Sequence, residues 1–407
     1  MFELANYLLS VSNLVTCSNI SQSTDEVGSD GSVQPVPDKQ SSIVGKNQNS
    51  ELTMQEIINL CNIMSNNKQM DIKRFLSAID MKLLYYKSGT YGHIFKALDA
   101  NGDVKFVIKM MPYVKDNEYG SIRNLSRSEN VEHLMSKLLN TICISQQHII
   151  KYYTTFQTNI EVFTDTIARL VNTDNELGYD GYDKYKNFCQ RYADNEFENV
   201  VSVTIYEWCD GDNFLDYVRK NYKNMTLKQW TVIFFQLLFT LATIQLKYPA
   251  FRHNSLKAND ILLKTNIGSP TNYEYVMDNK LYTVPNIGFQ IKISDFDFAC
   301  IDGVINNNKV NSDWCGKLNI SNKENKYYDI HYFFNTLTKP GFFTQFYEEG
   351  AVPKEIIDFV HRVVPEQYRN KSELVNIRGR ILVNDEYTTP YKLITEDPLF
   401  EKYRFTI

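Results

Sequence analysis

Phe251-Arg-His-Asn-Ser-Leu-Lys-Ala-Asn-Asp-Ile-Leu-Leu263 is the stretch on which the reading of this chain turns. Before it, Trp230 to Leu246 is almost continuously apolar, which predicts one long helix over 226–246. After it, a polar interval leads to Ile291-Lys-Ile-Ser-Asp-Phe-Asp-Phe-Ala299, a β-rich run that ends in carboxylates. The loop between helix and run is polar, then closes on Ile-Leu-Leu. Titratable side chains gathered where short apolar runs end are placed to line a cleft rather than to fill a core.

Working outward, the 407 residues are 43% hydrophobic and 13% aromatic, enough for a large core. A formal net charge of −5 argues against bulk, charge-driven binding to nucleic acid, and no such partner is expected. The 7 cysteines are odd in number, scattered and without a C-x-x-C pair, so they read as reduced intracellular thiols. No apolar run reaches about 18 residues, so no membrane-spanning helix is expected. Residues 1–17 are apolar at a helical period without a basic leader, which predicts a docking helix rather than a signal peptide. Residues 18–53 are rich in Ser, Asn, Gln, Asp, Gly and Pro; they cannot offset their ordering entropy and are predicted to be a disordered linker. Residues 54–80 return to helical spacing, with Thr53 and Glu56 fitting a capping box.

From 81 to 209 the pattern is strand-like. Leu83-Leu-Tyr-Tyr86 runs into Lys87-Ser-Gly-Thr-Tyr-Gly92, and Asn101-Gly102 predicts a hairpin turn before Val104-Lys-Phe-Val-Ile-Lys109. A tight turn holding Gly89, Thr90 and Gly92 can lay backbone N–H groups against phosphate oxygens. A helix carrying Glu129 and Glu132 is predicted over 127–140, strands over 148–153 and 200–206, and a polar insertion over 159–199. From 210 to 407 the signals are mainly helical: 214–221, the long helix, 326–337 with Asp329 inside it, amphipathic 354–364 and a closing helix over 389–400. A second polar insertion is expected over 264–289. A β-rich first half and an α-rich second half predict an α+β protein of two lobes with a cleft between them.

Over about 85–400 these residues resemble the protein kinase superfamily. Gly89-Thr-Tyr-Gly92 followed by Ile94 is similar to the Gly-rich loop G-x-G-x-x-G-x-V, with Lys87 in place of the first Gly. Val107-Ile-Lys109 resembles the end of V-A-I-K, which implies that Lys109 meets the α/β-phosphates of ATP. Glu132, followed by Leu134, Met135 and Leu139, fits the glutamate that pairs with that lysine, with Glu129 as the alternative. Tyr206-Glu-Trp-Cys209 resembles gatekeeper and hinge, whose backbone at Glu207 and Cys209 would hold adenine. Asp295-Phe-Asp297 stands where D-F-G belongs, and the resemblance implies that Asp295 is a Mg²⁺ ligand.

In the pattern H-R-D-L-x-x-x-N the same eight places read His253, Asn254, Ser255, Leu256, Lys257, Ala258, Asn259, Asp260. Lys257 matches the usual γ-phosphate contact, and Asp329 resembles the buried Asp that braces this loop from a later helix. The H-N-x-L-K-A-N and D-F-D-F-A forms, with the run from Lys326 to Leu337, are most similar to kinase-like proteins of large nucleocytoplasmic DNA viruses. That likeness implies an intracellular setting, in host cytoplasm or virion.

Each residue also has an ordinary reading. Two glycines in a hairpin are commonly just a turn, a strand lysine commonly faces solvent, and a helix glutamate is by default solvated. The order of the motifs along one chain favours the functional readings. Asp260 stays open between a Mg²⁺ ligand and a polar residue beside a helix.

Ser255 is the departure that matters, because the Asp expected there accepts the proton of the substrate hydroxyl. A serine has neither that charge nor that basicity. Phosphoryl transfer rests mainly on positioning and electrostatics, however, so loss of the base does not by itself abolish it. Asp297 in place of Gly also stiffens the backbone beside Asp295. Three readings follow: a Ser/Thr-type protein kinase of reduced activity acting on a protein substrate; a pseudokinase scaffold working through its surface and the arm at 1–55; and a small-molecule kinase of the choline or aminoglycoside type. The glycine turn and the closing helix speak against the third.

Overall fold

In the computed structural model the described residues are 52–64, 69–89, 92–115, 120–142, 148–171, 182–265, 268 and 270–406. The expected helix over 1–17 lies outside them, as do Thr90 and all of the expected linker except 52–53. The chain divides into Met1–Ile57 and Ile58–Ile407. At the described end of the first unit, Glu56 N donates to Thr53 Oγ1 and Thr53 N donates to Glu56 Oε2, the reciprocal capping box at the start of helix α1 (Met54–Met64).

The second unit is mixed α/β in two lobes. Helix α2 (Ile72–Ala78), N-capped by Asp71, leads into strands β1 (Lys82–Ser88), β2 (His93–Leu98) and β3 (Val104–Val114). Helix α3 (Ser128–Ile142), β4 (Tyr152–Asn159), α4 (Ile160–Val171), α5 (Tyr182–Ala193) and β5 (Phe197–Glu207) complete the first lobe. The five strands form one antiparallel sheet in the order β1-β2-β3-β5-β4. The β2–β3 turn sits where the Asn-Gly dipeptide predicts it, with Gly102 at φ +86°.

Two sequence expectations are corrected in this lobe. The strand expected over 148–153 begins at Tyr152; His148 and Ile150 instead exchange backbone bonds with Ile293. The expected polar stretch 159–199 contains two helices and the start of β5. Its aromatics explain why: Phe163 meets Phe95 edge-on at 5.4 Å and Tyr185 meets Tyr85 at 5.5 Å, so both helices bury one face on the sheet.

The second lobe is built round α7 (Leu227–Lys247), which follows α6 (Phe214–Asn221). Thr226 and Gln229 form its capping box, and the helix is buried on nearly all sides. That enclosure accounts for an apolar length that would suffice to cross a membrane. Phe234 lies 4.9 Å from Phe334 of α9 (Tyr328–Leu337) and 5.8 Å from Phe359 of α10 (Lys354–Val363). Truncating such a side chain to Ala costs about 3–5 kcal/mol.

Around α7 run β6 (Phe251–Arg252), β7 (Ile261–Lys264), β8 (Asn272–Met277), β9 (Lys280–Pro285), β10 (Gln290–Ile293), β11 (Cys300–Ile301), α8 (Asp313–Gly316), α11 (Pro390–Glu396) and β12 (Arg404–Thr406). The stretch 264–289, expected as polar insertion, carries the β8–β9 hairpin, turned by Asp278 and Asn279 at φ +53° and +58°. Its Tyr275 packs on Phe235 and Phe239 of α7. The closing helix expected over 389–400 ends at Glu396, and a 3₁₀ segment continues it to Tyr403.

Candidate active site

Two short ladders fix the loop quoted at the outset. β6 pairs with β11 and β7 with β10, both antiparallel, so the loop from His253 to Asp260 is held beside the turn that follows β10. The loop backbone is braced from below by Asp329, fully buried on α9. Its two carboxylate oxygens accept the N–H groups of His253 at 2.7 Å and Asn254 at 2.8 Å. Asn254 adopts φ +64°, which asparagine tolerates, and its side chain donates to the carbonyls of Phe298 and Ser321. Asp260 ties the loop to β10, its carbonyl accepting from Ser294 N and Oγ at 2.9 Å each.

Where the sheet meets that turn stands a charged corner. Lys109, on β3 between Ile94 of β2 and Thr204 of β5, places Nζ 2.6 Å from Glu132 Oε1 and 3.0 Å from Asp295 Oδ1. Of the two candidate glutamates Glu132 is therefore the one at the corner. Glu129 is held elsewhere by Arg127 at 2.8 Å, and Arg127 also donates to the carbonyls of Gly120 and Val114. Burial disfavours the charge on Lys109, but Asp295 and Glu132 hold its ammonium well above the ordinary lysine range. The ammonium in turn holds the Asp295 carboxyl well below the usual carboxylate range. Burial raises Glu132, against the attraction of Lys109.

Between corner and loop lies a cleft of about 720 Å³, lined by Tyr206, Glu207, Trp208, Cys209, Gly89, Gly92, Lys109, Ser255, Lys257, Asp260, Asp295 and Asp297 among others. Among the described residues, the expected Gly89, Gly92, Lys109, Glu132, Glu207, Cys209, Ser255, Lys257, Asp260 and Asp295 line this cleft, and the alternative Glu129 does not. Gly92 has a packing reason: a Cβ there would stand 3.0 Å from Lys109 Cε and 3.2 Å from Met110 O. Across the cleft the Glu207 side chain is engaged, bonded by Lys292 at 2.9 Å and by Lys151 N at 2.8 Å. Lys264 donates to the Trp208 carbonyl at 2.6 Å and steadies the connection that follows β5. Gly211 completes this connection, since a Cβ there would sit 2.8 Å from Leu263 O.

Asp295 has φ +67°, and the turn that follows buries Phe296 against His253 at 5.2 Å between ring centroids. This leaves half of the Asp295 side chain exposed to the cleft. The buried Asp260 carboxylate accepts from Lys257 N at 3.0 Å and Lys257 Nζ at 2.9 Å; burial raises it and Lys257 opposes. Lys257 also donates to the Ser255 carbonyl at 3.0 Å. Ser255 Oγ lies 3.2 Å from His253 Nδ1, and His253 Nε2 lies 3.1 Å from the Ser294 carbonyl. A carbonyl only accepts, so Nε2 carries a proton, and in the neutral ring the Ser255 hydroxyl donates to Nδ1.

Two proteins of Acanthamoeba polyphaga mimivirus are similar to this chain, each named "Putative serine/threonine-protein kinase". One is 51% identical over 343 residues, covering 83% of this chain and 72% of its own length. The other is 27% identical over 243 residues, covering 52% of this chain and 60% of its own length. The chain belongs to the serine/threonine-protein kinase family. No family model matches it.

Within this kinase-family chain several residues around the site escaped the sequence reading. Lys309 pairs with Asp297, leaving Asp297 Oδ1 buried and without a partner among the described residues. Arg252 donates to Asn319 O and Ser321 Oγ and packs over Tyr328, and Arg380 donates to the Asn254 carbonyl. These contacts join residues about 12 to 130 positions apart in sequence, a span over which spacing carries no signal. Lys184, on α5, lay in a stretch read as a polar insertion.

Proposed function

We propose that this kinase-family chain binds ATP and Mg²⁺ in the cleft and transfers the γ-phosphoryl group to a protein hydroxyl, slowly for want of a carboxylate at 255. The observation that carries the reading is Lys109 lying within 3.0 Å of both Glu132 and Asp295 at the head of an open cleft. The residues present fit the bound group: a Cβ at Gly92 would crowd Lys109 at 3.0 Å, and the Asp295 carboxylate is half open to the cleft. When bound, ATP supplies the phosphoryl group and Mg²⁺ offsets its charge. Lys109 and Lys257 would face the phosphates, Asp295 and Asp260 would hold the cation, and the backbone from Glu207 to Cys209 would face adenine.

At the acceptor end, the Ser255 hydroxyl spends its proton on His253 and keeps lone pairs for an incoming O–H. It can orient the nucleophile but does not take its proton. General-base assistance is worth about 10²–10⁴-fold, and that is the expected deficit. Ser255 itself and the buried Asp297–Lys309 pair support the second reading, a nucleotide-binding scaffold without transfer.

The deciding assay incubates the full chain with γ-labelled ATP, Mg²⁺ and a protein acceptor, beside a Lys109→Met control. Label above the control supports transfer. Label no higher than the control rejects it and leaves the scaffold.

A further inference from the structure

The carboxylates that line the cleft are all matched. Glu132 and Asp295 share Lys109, Asp260 has Lys257 at 2.9 Å, Glu207 has Lys292 at 2.9 Å, and Asp297 has Lys309. The cations are not. Among the described residues Lys87, Lys184, Arg378 and Arg380 line the same cleft without a carboxylate in ion-pair range, in a chain of net charge −5. Local positive excess on an acidic protein marks a place where an anion is received.

Two of the four, Lys184 and Arg378, are exposed and so mark the mouth, whereas Lys87 is half-buried and Arg380 is buried. Lys184 reaches from α5 to within 3.5 Å of the Ser88 carbonyl beside the glycine turn, and is exposed. Arg378 is exposed on a C-lobe turn and rests on the ring of Trp314, 5.4 Å from its centroid. Trp314 is itself 46% exposed, and Ile377 beside Arg378 is 91% exposed. The cleft does not stop there. Gly89, Lys184 and Trp314 also line a second cavity of about 460 Å³ that runs between α5 and the segment 309–314. Its one lining carboxylate among the described residues, Glu129, is tied to Arg127. The exposed rim thus offers apolar footing and unpaired cations on a cleft that Ser255 also lines.

From this juxtaposition we infer that the acceptor is a protein segment with Asp and Glu flanking its hydroxyl, held at the mouth by Lys184 and Arg378. The inference rests on the reading of the cleft as a phosphotransfer site, and it names that site's substrate class. It also fits the loss of the base, because a charged acceptor can be held in place by its flanks while Ser255 orients its hydroxyl.

The test uses the full chain with Mg²⁺ and a non-hydrolysable ATP analogue, and two fluorescein-labelled peptides sharing a central serine. One peptide is flanked by glutamates, the other by lysines, and anisotropy gives Kd for each. The expected result is about tenfold tighter binding of the glutamate peptide at low salt, an advantage that fades at high salt. Lys184→Glu with Arg378→Glu removes the advantage while the melting temperature stays that of the parent. Equal binding, tighter binding of the lysine peptide, or displacement of the glutamate peptide by a single-stranded oligonucleotide at comparable concentration overturns the inference. Acidic preference without labelled product keeps the docking of an acidic segment at the mouth but sinks the transfer reading and with it the role of acceptor; labelled product without acidic preference keeps transfer and sinks this inference.

Discussion

The two walls of the cleft differ in what they have kept. On the sheet side, Lys109 and Glu132 reach across to Asp295, on the turn after β10, and the three form a charged corner in which each group has a partner. On the loop side, the backbone frame is intact: Asp329 still accepts the N–H groups of His253 and Asn254, and Asp260 still anchors Lys257 and Ser294. Where the kinase pattern has a carboxylate, this wall carries the Ser255 hydroxyl. The backbone frame of the loop is therefore built without a carboxylate at 255, held by the buried Asp329 of α9.

Substitutions can widen or collapse that difference. The largest effect is expected from Ser255→Asp, which returns a carboxylate to a frame already built for it. Phosphotransfer should rise about 10²–10⁴-fold in kcat with little change in nucleotide affinity. An unchanged rate would mean that the loop wall has lost more than its base.

Next comes Asp329→Asn. It removes charge-assisted bonds to two buried N–H groups and should cost about 3 kcal/mol, read as a lower urea midpoint at unchanged slope. Lys109→Met should cost less, because the half-exposed Asp295 is left to solvent and Glu132 can take up a proton.

Acid should weaken both lobes. Burial pushes His93 of the sheet down to about 4, His148 to about 3 and His331 of α9 to about 4. Each is neutral in the fold but protonates near 6.5 when unfolded, so the unfolded chain binds more protons below that pH. Stability is then fully present above about pH 6.5 and falls toward pH 4 by up to about 1.4 kcal/mol per pH unit per histidine. Urea midpoints at pH 7.5 and pH 5 measure the slope, and His148→Gln should flatten it by one proton. Ser255→Ala should have the smallest effect, a two- to tenfold fall in kcat from loss of one neutral orienting hydrogen bond.

Much of the charged corner was legible in sequence because its residues sit on regular elements or at their ends. Val107-Ile-Lys109 lies on a strand, and Asp295 closes an apolar run. The preference for Glu132 over Glu129 agrees with the corner, and Arg127 adds a reason that spacing did not carry, by claiming Glu129. The loop wall was legible as a frame, including Asp329. Its lateral ties were not, because Lys309, Arg378 and Arg380 come from irregular segments whose contacts follow from tertiary packing alone. The stretches 159–199 and 264–289 misled for a related reason. Their polar residues dominate the composition, while the few aromatics that bury them, Phe163, Tyr185 and Tyr275, sit at helical or alternating spacing. Asp278-Asn279 was a usable signal, a two-residue turn of types that accept positive φ.

The central claim is that the charged corner grips a nucleotide although the loop beside it lacks its base. The most direct measurement is the melting temperature of the full chain with and without ATP and Mg²⁺, beside Lys109→Met. At ligand about 100-fold over Kd the wild-type protein should gain about 2.7 kcal/mol and melt several degrees higher, while the variant gains nothing. A wild-type protein whose melting point ignores ATP, or a Lys109→Met variant that keeps the full shift, would contradict the account.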